Sequence, residues 1–132
     1  MARTSPSVLL VEDDELIQQI MCELLQQLSI TEIHGAGDGV EALKQLKDSS
    51  VHPDVIICDV YMPHMDGVEF IGHLEKIQYK GGVVLVSGLD PSIMQISCDL
   101  ANAKGLRVLA ALVKPITRAD LEEVFARFRA QR

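Results

Sequence analysis

The sequence predicts an α/β fold in which a five-stranded parallel sheet carries helices on both faces. Two observations carry that prediction: five short apolar runs, most of them rich in Val, Ile or Leu, recur along the chain, and between them apolar residues return at the spacing of one helix face. Runs apolar at successive positions suit strands covered on both sides. Strand and helix alternating five times argue for parallel strands joined by right-handed crossovers.

The predicted strands are Val8 to Val11, Ile30 to His34, Val55 to Cys58, Val83 to Val86 and Val108 to Val113. After the first, Leu16, Ile17, Ile20, Met21, Leu24, Leu25 and Leu28 mark a helix whose other side is filled by Gln18, Gln19, Glu23 and Gln26. Val40, Leu43 and Leu46 mark a second helix entered through Gly39, and Val68, Ile71, Leu74 and Ile77 a third entered at Asp66-Gly67. A fourth is expected from Ser92 to about Lys104, with Ile93, Ile96, Leu100 and Ala103 inward and Gly105 ending it. Thr117 and Asp120 have capping-box spacing at the start of a fifth, whose buried stripe is Leu121, Val124, Phe125 and Phe128.

At 132 residues the chain has the size of one domain, expected over 1–132 with an ordered core at about 7–130. A composition 48% apolar and 23% charged fits an ordinary globule. The formal net charge of −7 disfavours direct contact with nucleic acid. Apolar stretches such as Val83 to Val86 fall far short of the roughly 20 residues that span a membrane. Met1 to Ser7 lacks the pattern of a secretory signal, so the cytoplasm is the expected location. Cys22, Cys58 and Cys98, odd in number and set in apolar sequence, read as buried reduced thiols.

A sheet of this type binds its ligand outside the carboxyl ends of its strands. Those ends carry Glu12, Asp13 and Asp14 after the first strand, Asp59 after the third, Ser87 after the fourth and Lys114 after the last. Crowded carboxylates repel one another unless a cation compensates. All-oxygen ligands without nearby Cys or His favour a hard ion, Mg²⁺ first and Mn²⁺ as an alternative. Lys114 and Ser87 suit the charge that spreads over phosphoryl oxygens during transfer. Asp59 suits the nucleophile, because a carboxylate needs no general base at neutral pH. His34, His52, His64 and His73 read as solvated groups in loops or on helices. Each residue also has a plainer reading: Asp14 or Glu15 as a helix N-cap, Lys114 before Pro115 as a charge in a turn. Their joint placement at the strand ends favours the chemical one.

These residues resemble the response regulator receiver family: Glu12-Asp13, then Asp59 within IICDVYMPHMDG (with Met62-Pro63 and Asp66-Gly67), Ser87, and Lys114-Pro115. The resemblance covers almost the whole chain. It implies a flavodoxin-like (βα)5 three-layer sandwich with strand order 2-1-3-4-5. It further implies that Asp59 accepts a phosphoryl group from a histidine kinase or phosphotransfer protein in a two-component phosphorelay. Asp13, Asp59 and the backbone carbonyl of Tyr61 would bind Mg²⁺, Glu12 would act through water, and Lys114 and Ser87 would contact phosphoryl oxygens. The Lys114-Pro115 bond is expected to be cis. Such a domain switches an output domain or effector and catalyses only its own phosphorylation and dephosphorylation; the face of the fourth helix, fifth strand and fifth helix is expected to meet a partner or form a homodimer.

Two departures from the family pattern stand out. Ala111 occupies the place of the switch aromatic, so the signal is expected to leave through Leu112 or the fourth helix. The stretch from Ser87 to Lys114 is longer than in a minimal receiver, and AKGLRVLAALVKPI looks like receivers attached to EAL-type cyclic-di-GMP phosphodiesterases. Tyr61 and Leu89, flanking the site, are expected to shield an acyl phosphate from water. Three other readings compete with this one. A haloacid dehalogenase-type phosphohydrolase would place its Asp after the first strand in a D-x-D pattern that Glu12-Asp13-Asp14-Glu15 lacks. A dinucleotide-binding module would need glycine where Val40 stands, and in a flavodoxin-like one the loop that holds phosphate would not be acidic, as it is here. A receiver-like interaction module that is never phosphorylated keeps the same residues without the chemistry.

Overall fold

The computed structural model describes residues 6–48, 51–62, 64–88 and 91–131. Ten elements alternate: β1 (Val8–Val11), α1 (Glu15–Gln27), β2 (Ile33–Ala36), α2 (Gly39–Lys47), β3 (Val55–Asp59), α3 (Gly67–Lys76), β4 (Gly82–Ser87), α4 (Pro91–Ala103), β5 (Arg107–Val113) and α5 (Arg118–Ala130). The strands are all parallel, in the order β2-β1-β3-β4-β5.

Alternating side chains of the central strands feed two cores, as the pleat requires. Val8, Leu10, Val55, Ile57, Val84 and Val86 pack against α1 and α5. Leu9, Val11, Ile56, Cys58, Val83 and Leu85 pack against α2, α3 and α4. Every residue of β1, β3 and β4 is buried, which is why these strands read as continuous apolar runs. The result is the expected three-layer sandwich.

The helix starts are capped by short carboxylates and a hydroxyl. Asp14, Asp38 and Asp66 cap α1, α2 and α3 by accepting from backbone amides two or three residues on, and the Thr117–Asp120 capping box of α5 is closed in both directions. Asp14 therefore takes the capping role that had been open between it and Glu15.

Several sequence expectations shift. The second strand runs from Ile33 to Ala36 rather than from Ile30 to His34: Ile30 is buried, but its amide closes the end of α1 onto Leu25. α4 begins one residue earlier, at Pro91, and is turned relative to the expected face. Ile96 is 54% exposed and Ala103 is exposed, while Met94, Ser97 and Ala101 face inward. Small residues at 97 and 101 let the helix sit close to the sheet, a fit that counting apolar residues does not detect. β5 is an edge strand with a bulge opposite Val83 and Val84, and Ala111 and Val113 on it are exposed, so it is not covered on both faces. Leu16 (66% exposed) and Ile20 (46%) on α1 also face outward despite lying in its apolar arc. Cys58 is buried and Cys22 and Cys98 are half-buried, all three as free thiols. His34 lies on strand β2 beside Glu32, not in a loop. No helix among the described residues is long and apolar enough to cross a membrane.

Candidate functional site

Parallel strands all end at the same edge of a sheet, so the residues that follow β1, β3, β4 and β5 meet there. The register places Val11 beside Cys58, Asp59 beside Val86 and Ser87 beside Val113. Glu12, Asp59, Ser87 and Lys114 are thereby brought to neighbouring strand ends from four parts of the chain.

Lys114 is the hub. Its ammonium donates to Asp59 Oδ2 at 2.6 Å and lies 3.0 Å from Glu12 Oε1. Asp59 and Glu12 are 5% and 3% exposed, so the pairs are largely shielded from water. The main chain completes their orientation: the Tyr61 amide donates to Asp59 Oδ1 at 2.8 Å, and the Asp14 amide to Glu12 Oε2 at 3.1 Å. The Lys114–Pro115 peptide is cis, as the resemblance implied. Ser87, buried at the end of β4, accepts from the Lys114 amide through its carbonyl at 3.0 Å.

Electrostatics follow from this geometry. Burial pushes the Glu12 carboxyl above its ordinary value, with nearby Asp59 adding to the effect; hydrogen bonds from Lys114 and the Asp14 amide oppose it without cancelling it. For Lys114 burial disfavours the charge, but hydrogen bonds to Asp59 and Glu12 outweigh it and hold the ammonium above its ordinary value. The Cys58 thiol is pushed well up by complete burial and then by its carboxylate neighbours, and donates to the Asp59 carbonyl at 3.2 Å. It is a packing group, not a nucleophile.

Asp13 is exposed, yet one oxygen each of Glu12, Asp13 and Asp59 lie within 4.8 Å of one another. Three carboxylates facing one ammonium leave a surplus of negative charge, and an all-oxygen donor set fits a hard divalent cation. Tyr61 is 41% exposed and reaches Asp59 through its amide. Pro63 and Leu89, part of the sequence reading of this site, lie outside the described residues.

Two features were not read from the sequence. Gly67 packs so closely under the loop after β3 that a Cβ there would come within 2.8 Å of Val60 Cα. This gives Asp66-Gly67 a packing role besides starting a helix. In addition, an apolar groove of about 290 Å³ opens beside Lys114, lined by Ile17, Ile20, Met21, Pro115 and Ile116. The available sign was the width of the apolar arc on α1, two residues more than the core uses.

The profile of the response regulator receiver domain matches residues 8–126. The chain belongs to this receiver family. It is 31% identical over 126 residues to the cyclic di-GMP phosphodiesterase RocR of Pseudomonas aeruginosa, covering 96% of this chain and 32% of that protein, so the chain spans about a third of that relative's length. Among solved structures, the Vibrio cholerae chemotaxis protein CheY4 superposes with a TM-score of 0.76 at 30% identity, over 95% of this chain and 99% of the other. The signal receiver domain of an HD domain-containing protein from Pseudomonas fluorescens reaches a TM-score of 0.81 at 24% identity, covering 96% of each chain, and shows the shared fold. As a receiver, the chain is a component of two-component signalling.

Proposed function

We propose that this receiver takes a phosphoryl group onto Asp59 from the phosphohistidine of a histidine kinase or phosphotransfer protein, and that the change switches an output domain or effector. The observation that carries the proposal is the Lys114 ammonium shared between two buried carboxylates at the strand ends, 2.6 Å from Asp59 and 3.0 Å from Glu12. Evolution of a stable core alone gives no reason to bury two like charges around one cation.

In the transfer, an Asp59 oxygen forms the new P–O bond while the P–N bond to the donor imidazole breaks. The Asp59 carboxylate, held beside the Lys114 ammonium, needs no general base. Lys114 moves its hydrogen bond from the carboxylate to a phosphoryl oxygen, and the Ser87 hydroxyl offers a second donor. The Tyr61 amide holds the other Asp59 oxygen and so fixes which one attacks. Glu12, Asp13, Asp59 and the Tyr61 carbonyl would hold Mg²⁺, with Mn²⁺ as a substitute; bound there, the ion supplies positive charge to the phosphoryl oxygens and lowers the repulsion between the incoming group and the carboxylates. Reversal by water would be the only other reaction of the chain, with no external substrate.

The donor's place is suggested by the apolar groove of α1 and the turn after Lys114, which adjoins the acceptor and suits the side of a helix. The output side is suggested by α4, β5 and α5, where Ile96, Ala111 and Val113 are exposed; a homodimer or a partner domain would cover them. With small, exposed Ala111 on β5, half-buried Leu112 and α4 remain the routes by which the site reaches that face. We take residues 1–132 as one receiver domain working in the cytoplasm. The similarity to RocR favours a cyclic-di-GMP phosphodiesterase as the kind of output it controls.

The test is intact mass spectrometry after incubation with Mg²⁺ and acetyl phosphate, beside Asp59→Asn. One phosphoryl gain that requires the metal and is absent in the variant supports the proposal. No gain from acetyl phosphate or from a phosphohistidine donor would establish the unphosphorylated interaction module instead.

A further inference from the structure

The edge of the sheet opposite the strand ends also carries a cavity. Its walls come from the segment entering β3, the α3–β4 connection, the first residue of β5 and the ends of α2 and α5, and it is an open cleft of about 580 Å³. Small-molecule sites occupy roughly 300–1,000 Å³. Pro53, Ile77, Phe128 and the ring of Tyr79 supply apolar wall. That wall is fixed in advance: the Tyr79 hydroxyl is placed 3.2 Å from the carbonyls of both Pro53 and Gly82, and no side chain fits at Gly81 without striking it.

The charges at the rim do not balance. Lys80 and Arg107 line the cavity, are exposed, and make no ion pair or side-chain hydrogen bond among the described residues. His52 adds an imidazole and Gln78 a side-chain amide. The one carboxylate present, Asp54, accepts from the Ser7 amide at 2.9 Å and lies 3.5 Å from its hydroxyl. Two cations without an ion-pair partner among the described residues, beside a partly apolar wall in a chain whose net charge is −7, are the complement of a molecule that is flat and apolar at one end and negative at the other.

We propose that this cavity binds a small organic anion with a flat apolar body, the anionic group held by Lys80 and Arg107 and the ring set against Ile77, Tyr79 and Phe128. An aromatic carboxylate and a nucleoside monophosphate share that chemistry. The site is separate from Asp59 and does not depend on phosphorylation.

The test is a fluorescence titration of the full chain with 1-anilinonaphthalene-8-sulfonate, a flat aromatic sulfonate, repeated with Lys80→Glu, Arg107→Glu and, as a control in the other groove, Ile20→Ser. The expected result is a saturable site that each charge reversal weakens about tenfold, the scale of losing one charge-assisted contact of about 1.4 kcal/mol, and that Ile20→Ser leaves unchanged. Competition by salicylate or by guanosine monophosphate then identifies which kind of anion the cavity prefers. Both charge reversals lie at exposed positions, and an unaltered circular dichroism melt shows that they fold. Absence of a saturable site, equal binding by all variants, or loss confined to Ile20→Ser would overturn the proposal.

Discussion

The Lys114 ammonium and Asp59 Oδ2 are 2.6 Å apart although 55 residues separate them, and the same ammonium also serves Glu12. One cation between two buried carboxylates leaves the site one charge short even before exposed Asp13 is counted. That imbalance makes the site receptive to a metal ion and costs stability in its absence.

Glu12→Gln is therefore expected to stabilise the metal-free protein at pH 7, because it removes a charge that burial disfavours. The sign follows from linkage. The Glu12 carboxyl is raised above 4.5 in the fold, so the folded state binds its proton more tightly than the unfolded chain does, and the charged form weakens folding. The advantage of the variant is full above the folded value and fades as pH falls through it towards 4.5. Urea denaturation of both proteins from pH 7 downward measures it; an advantage that grows on acidification would contradict the account.

Adding Mg²⁺ should raise the melting temperature of the parent, since a ligand of the folded state at ten times its dissociation constant contributes about 1.4 kcal/mol. Asp13→Asn should remove most of that gain while changing the metal-free melt little, because Asp13 is exposed. Differential scanning fluorimetry with and without chelator separates the two effects. A metal-dependent shift of the same size in the variant would take Asp13 out of the ligand set.

Ser97 presents a different kind of defect. It is fully buried on the inner face of α4, and its hydroxyl has no hydrogen-bond partner among the described residues. A buried polar group left unpaired costs roughly 1–3 kcal/mol. Ser97→Ala should thus gain about 1 kcal/mol, readable as a higher urea midpoint with an unchanged slope. A loss of stability would mean that the hydroxyl is satisfied in solution.

How much of this could be read from the sequence depended on whether a residue acts through its neighbours in the chain or through packing. β1, β3 and β4 were legible because strands buried on both faces are apolar throughout, and the helix starts because a cap is a local interaction. β2 was displaced because Ile30 is apolar for a different reason, closing α1. α4 was turned because Ser97 and Ala101 are buried for their small size, whereas apolar Ile96 is exposed. Glu12, Asp59, Ser87 and Lys114 were legible as a group because parallel topology sends all strand ends to one edge. The amides of Asp14 and Tyr61, which orient the carboxylates, left no mark, since any residue supplies an amide.

If Asp59 is phosphorylated as proposed, Tyr61 offers the sharpest test of how long the phosphoryl group stays. Its amide is bound to Asp59, so its Cα is held beside the acceptor, and the residue is 41% exposed. An acyl phosphate on Asp59 is lost when water attacks in line, and a bulky ring in the path of the water limits that approach. Tyr61→Asn keeps the amide and removes the ring, so phosphorylation should proceed while the phosphoryl group decays faster. The decay rate, followed by mass spectrometry after the phosphodonor is removed, isolates this effect from the rate of loading. Equal decay in the two proteins would show that the ring does not shield the site and that the lifetime is set by the groups on the sheet itself.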